Sequence, residues 1–90
     1  MTISIKIVSN SKYKVTVQSN TITTHTVSLS DDVHKNLTNN KVTKEELLDF
    51  SFKFLLNREP NTSIMSSFEL TVISRYFSDY EKSIKKWCSS

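Results

Sequence analysis

Ile22-Thr-Thr-His-Thr-Val-Ser-Leu-Ser-Asp-Asp-Val-His-Lys-Asn-Leu37 changes its hydrophobic period partway along, and that change decides the fold class. Up to Leu29, Val27 and Leu29 share one face while Thr24, Thr26 and Ser28 share the other, the period of two of a half-buried strand. At Ser30 the pattern switches. Ser30 offers a side-chain cap, Asp31 and Asp32 place negative charge in a first helical turn, and Val33 and Leu37 follow four residues apart. A strand that hands over directly to a helix signals a chain using both element types.

Towards the N-terminus, Ile3, Ile5 and Ile7 alternate with Ser4 and Lys6, and Tyr13, Val15 and Val17 alternate with Lys14 and Thr16. Ser9-Asn10-Ser11 and Ser19-Asn20-Thr21 separate the runs, so a three-stranded antiparallel meander is expected. The chain contains no Gly, which leaves Asn10 and Asn20 to supply any positive φ at the two connections. His25 is in phase with Val27 and Leu29, which places it partly buried and hydrogen-bonded, or at the sheet rim.

Towards the C-terminus, Thr38-Asn39-Asn40 ends the first helix, and Thr43 with Glu46 forms a capping box that opens a second. Leu47, Leu48, Phe50, Phe52, Phe54, Leu55 and Leu56 then occupy seven of ten positions, more than one amphipathic stripe requires. This helix is central, or buries a second face in another subunit. Asn57 and Pro60 stop it, and the stretch to Ser67 reads as a turn with an irregular helical loop around Ile64, Met65 and Phe68. Val72, Ile73, Tyr76, Phe77, Tyr80, Ile84 and Trp87 fall on one stripe of a final helix. The expected architecture is α+β, a single domain over residues 1–90, ordered βββααα with the helices on one face of a three-stranded sheet.

Ninety residues, 37% of them hydrophobic, suffice for one small core. With no Gly and one Cys, Gly-rich phosphate loops, disulfide frameworks and clustered-Cys zinc sites are excluded. No Ser lies in an activating context, and His34 beside Asp31 and Asp32 does not have a metal-ligand spacing. The expectation is a protein that is not an enzyme, with no cofactor, no metal site and no small-molecule substrate. The net charge of +3 is too small to demand a nucleic acid or a membrane. It is uneven, however: residues 1–44 carry six Lys against Asp31 and Asp32. No apolar run exceeds three residues, the start lacks the features of a signal peptide, and the lone Cys88 suits a reducing compartment, so a cytoplasmic protein is expected.

The stretch from Thr24 to Glu59, a polar-alternating strand leading into a short helix and then a Thr-capped apolar helix, resembles the ribbon-helix-helix family of dimeric DNA-binding proteins. The resemblance implies that Thr24, Thr26 and Ser28 face a DNA groove and that Thr43 and Lys44 meet the phosphate backbone. Two functional expectations follow. The leading one is a small non-enzymatic protein-interaction or regulatory module, partnered by another protein or by itself as a homodimer through Leu47, Phe50, Phe52, Phe54 and Leu55. The alternative is a ribbon-helix-helix-like transcriptional regulator or antitoxin with DNA as partner.

Overall fold

The computed structural model describes residues 2–89. Strands β1 (Thr2–Ser9), β2 (Lys12–Gln18) and β3 (Ile22–Ser28) form the expected antiparallel meander. Ile5 lies opposite Val15, which lies opposite His25, so the alternating apolar sets of all three strands share one face. The connections are built differently from expectation. Among the described residues only Asn39 and Asn40 have positive φ, so neither Asn10 nor Asn20 does. A two-residue connection without a left-handed residue splays its strands. Here a register irregularity between Ile7 and Ser9 takes up the mismatch, leaving Val8 unpaired.

Helix α1 (Asp31–Thr38) starts where the period changes: Ser30 Oγ accepts from Val33 N at 3.2 Å. It ends on left-handed Asn39, whose N–H donates to Lys35 O. Helix α2 (Lys44–Leu56) opens with the capping box, Glu46 N donating to Thr43 Oγ1 at 3.1 Å and Thr43 N donating to Glu46 Oε1 at 2.9 Å.

The apolar surplus of α2 is resolved within the chain. Phe52 faces the sheet, its ring centroid 5.4 Å from His25 and 6.2 Å from Phe68. Phe50 and Phe54 lie two residues away, about 200° around the helix, and face the opposite layer. Phe50 stacks on Trp87 at 4.4 Å, and Phe54 meets Phe77 at 5.8 Å and Tyr80 at 5.2 Å. The helix is therefore buried on two sides by its own chain. Leu47, Phe52, Phe54 and Leu55, expected at a subunit interface, are core residues, and Phe50 is half-buried against Trp87.

Two further expectations are corrected. The loop before the last helix contains a 3-10 turn (Asn61–Ser63) and a fourth strand, β4 (Ser67–Glu69), so the sheet is four-stranded and mixed, in the order β1-β2-β3-β4. β4 runs parallel to β3, with Thr26 N donating to Ser66 O at 2.8 Å and Leu70 N to Ser28 O at 3.0 Å. The last helix is two: α3 (Val72–Tyr76) and α4 (Tyr80–Ser89), separated by an extended Phe77. Arg58 holds that break. Its Nη1 donates to Phe54 O at 3.2 Å, its Nη2 to Asp79 Oδ2 at 2.6 Å, and its guanidinium lies 3.6 Å over the Phe54 ring. The break turns Tyr76 outward, 69% exposed, away from the core stripe to which its spacing assigned it.

Two buried polar links tie these layers. His25, 2% exposed, has Nδ1 at 2.7 Å from Met65 O and Nε2 at 2.9 Å from Thr23 Oγ1. A carbonyl only accepts, so Nδ1 carries the proton. Thr23 Oγ1 in turn accepts from Asn61 Nδ2 at 3.0 Å, which leaves its own proton for Nε2. This chain fastens residues 61–66 along β3 and so aligns β4. Across the other layer, Tyr80 OH donates to Ser51 Oγ at 2.5 Å, and Ser51 Oγ donates to Leu47 O at 2.7 Å.

Burial pushes the Tyr80 phenol well above its ordinary value of 10.0, the Ser51 hydrogen bond offsetting part of the rise, and burial raises Tyr13 as well. A raised folded-state value stabilises fully below the unfolded value, and the contribution is lost as pH climbs past 10.0 towards the folded one. Denaturant midpoints measured on either side of pH 10 are expected to fall on the alkaline side. Tyr80→Phe is expected to reduce that fall, leaving the part due to Tyr13. An unchanged slope in the variant contradicts the buried phenol.

Candidate functional site

Among the described residues, the longer free edge of the sheet is that of β1 (Thr2–Ser9), set against three residues in β4. Thr26 N and Ser28 O bond towards β4, whereas Leu29 N donates back across the sheet to Ser11 O. In an antiparallel ladder both polar groups of one residue face the same neighbour and successive residues alternate. Thr23, His25 and Val27 therefore bond towards β2, pairing with Val17, Val15 and Tyr13. Lys14 and Thr16 then bond towards Lys6 and Ser4 of β1. The backbone N–H and C=O groups of Ile3, Ile5 and Ile7 are left facing outward, and among the described residues no strand lies beyond them in the sheet order.

The side chains of the same three residues sit on the helix-covered face, incompletely covered. Ile3 and Ile5 are half-buried against the core, Ile7 is 67% exposed and the bulged Val8 is 59% exposed. Long apolar edge strands are ordinarily blunted by charge, proline or cover. Along β1 the blunting devices are Lys6 and the bulge at Val8.

Among the described residues, those on the opposite face of the sheet are exposed or half-buried throughout. Register places Ser4, Thr16 and Thr24 in one row, Lys6, Lys14, Thr26 and Ser67 in the next, and Lys12, Ser28 and Glu69 in a third. The three residues expected to face a DNA groove thus lie together, Thr24 exposed and Thr26 and Ser28 half-buried, beside three lysines that no reading of β3 alone reveals. Lys6 and Lys14 are direct cross-strand partners, a like-charge pairing that costs stability. β3 itself has strand neighbours on both sides at Thr26–Ser28, so a second copy cannot pair with it there.

Thr43 and Lys44 lie apart from this face and are engaged. Thr43 Oγ1 is the helix cap. The Lys44 ammonium pairs with the Asp31 carboxylate and donates to Asn10 O at 3.3 Å, bracing the β1–β2 turn against the start of α2. The Lys44 hydrogen bond holds the Asp31 carboxyl below its usual range, and Asp31 raises Lys44 in return. His34 Nε2 donates to Val42 O at 2.6 Å, so its ring ties α1 to the loop before α2.

A separate cleft of about 390 Å³ opens between α2, β4 and α3, walled by Ile64, Met65, Phe68, Val72 and Tyr76 with Glu59 at its side. Sequence spacing pointed to none of this, because it depends on the α3–α4 break that turns Tyr76 outward. Among the described residues, no helix is long and apolar enough to cross a membrane. Comparison with family models, with curated proteins and with solved structures finds no match to this chain.

The difference between edge and core gives a direct test. Ile7→Thr, at an exposed site, is expected to change unfolding free energy in dilute solution by no more than about 0.5 kcal/mol. Phe52→Ala, in the middle of the core, is expected to cost about 3–5 kcal/mol. Urea unfolding of the two variants checks this, and comparable losses would mean that β1 is covered in the folded monomer.

Proposed function

We propose that this chain is a small non-enzymatic interaction module whose working surface is the β1 edge, where it takes up an additional strand from a protein partner. The observation that carries the reading is the coincidence on Ile3, Ile5 and Ile7 of outward-facing backbone bonding groups with incompletely covered apolar side chains. Strand addition satisfies both at once, the main chain supplying affinity and the alternating side chains specificity. The interior of α2 is filled by its own chain, which moves the expected partner surface from that helix to the edge of the sheet.

A second reading has its own observation in the bare face, where Lys6, Lys12 and Lys14 lie among Ser and Thr hydroxyls. That surface suits phosphate contacts from a nucleic acid, positioned by charge more than by base readout, because Lys acts there as a point charge.

One titration with two labelled probes separates the readings. The first probe is an alternating strand peptide, Thr-Val-Thr-Val-Lys-Val-Thr, and the second a mixed-sequence DNA duplex. Saturable peptide binding is expected, followed by fluorescence anisotropy. Ile5→Pro is expected to abolish it, since that N–H faces outward and its loss spares the β1–β2 ladder. Salt-sensitive binding of the duplex, lost in the Lys6→Glu, Lys14→Glu double variant, favours the second reading. Peptide binding that Ile5→Pro leaves intact overturns the assignment of the edge.

A further inference from the structure

We infer that the strand taken up by β1 is β1 of a second copy, paired antiparallel about a two-fold axis through Ile5. The inference rests on reading β1 as the working edge and goes further, naming the occupant and its register. It follows from how the residues of β1 would oppose one another in the possible symmetric pairings.

With the axis at Ile5, Ile5 opposes its own symmetry mate and Ile3 opposes the partner's Ile7. These are the residues whose backbone groups face outward, so every such pair exchanges hydrogen bonds. Their side chains all project to the helix-covered face, where the isoleucines of two copies form one continuous apolar strip. Ile7, 67% exposed in the single chain, is then covered by Ile3 of the partner subunit. On the bare face Ser4 opposes the partner's Lys6, so the two lysines do not oppose each other. Thr2 falls beside the bulged Val8, where the irregular register ends the pairing.

The neighbouring registers are worse. An axis at Ser4 pairs Ile3 with the partner's Ile5 but leaves Ile7 with no opposing residue within Thr2–Ser9. An axis at Lys6 sets the two lysines directly opposite, a repulsive cross-strand pair. Of these three, only the axis at Ile5 pairs all three isoleucines with one another without setting the two Lys6 residues directly opposite. It is an isologous interface, and closure about one two-fold limits the assembly to a dimer with a continuous eight-stranded sheet.

Sedimentation equilibrium over a range of concentrations is the first test, with a reversible species of twice the 10.4 kDa chain mass expected. Ile5→Pro is expected to weaken association by at least about tenfold. Register is tested independently of that variant's folding. In a Cys88→Ser background, mixing Ser4→Cys with Lys6→Cys under mild oxidation is expected to give a covalent dimer, with much less from either variant alone. A dimer that survives Ile5→Pro and shows no preference for the mixed pair overturns the inference. A monomer at every concentration that still binds the alternating strand peptide overturns the second copy while leaving the interaction module standing. A monomer that binds no strand peptide overturns both.

Discussion

Burial of α2 on two opposite sides is the constraint from which the rest of the structure follows. A domain of this size hides only about 60% of the surface its unfolded chain exposes, so one helix must serve as core for two layers. Phe52 fills the layer against His25 and Phe68, while Phe50 and Phe54 fill the layer against Trp87, Phe77 and Tyr80. Both layers also carry a polar fastening. His25 holds the β4 segment to β3, and the Tyr80–Ser51 hydrogen bond locks α4 onto α2. These links discriminate between packings more than they add net stability, because each becomes costly once a partner is lost.

Filling α2 from within has a consequence for function. The surface that looks most apolar in the sequence is spent on folding, and unmet bonding capacity is displaced to the boundary of the sheet. The edge at β4 is three residues long (Ser67–Glu69), whereas β1 runs over eight (Thr2–Ser9) and, among the described residues, has no strand beyond it in the sheet order. Partial burial of Ile3 and Ile5 beside an exposed Ile7 traces a core that thins towards that edge. A partner strand would complete both the ladder and the apolar layer. The basic bare face lies on the other side of the same strands, so occupation of the edge does not cover the lysines.

What could be read from the sequence was whatever depends on short-range periodicity and capping. The three strands, the face on which His25 lies, the Ser30 cap and the Thr43–Glu46 box are all local, and local patterns carry them. β4 was not legible, because three residues are too few to show alternation and its position comes from Asn61 and Met65 reaching β3 across some forty positions of chain. The α3–α4 break was hidden for a related reason. Val72 to Trp87 keeps a helical period, and the break is held by Phe77 and Asp79 meeting Phe54 and Arg58 of another helix. For the candidate site, the alternation with Val27 and Leu29 shows that Thr24, Thr26 and Ser28 share one face of the sheet. Their lysine neighbours come from register across strands, and the open edge from topology, neither of which a single run of residues encodes.

The central claim is that β1 carries an unsatisfied edge in the single chain and is completed by another strand. Residue-resolved amide hydrogen exchange as a function of protein concentration tests it most directly. In dilute solution Ile3, Ile5 and Ile7 are expected to exchange fast while Ser4 and Lys6 between them exchange slowly, and protection of the three isoleucines alone is expected to grow with concentration. Uniform slow exchange along β1 in dilute solution would contradict the open edge, and fast exchange of the isoleucines at every concentration would contradict its completion by a second copy.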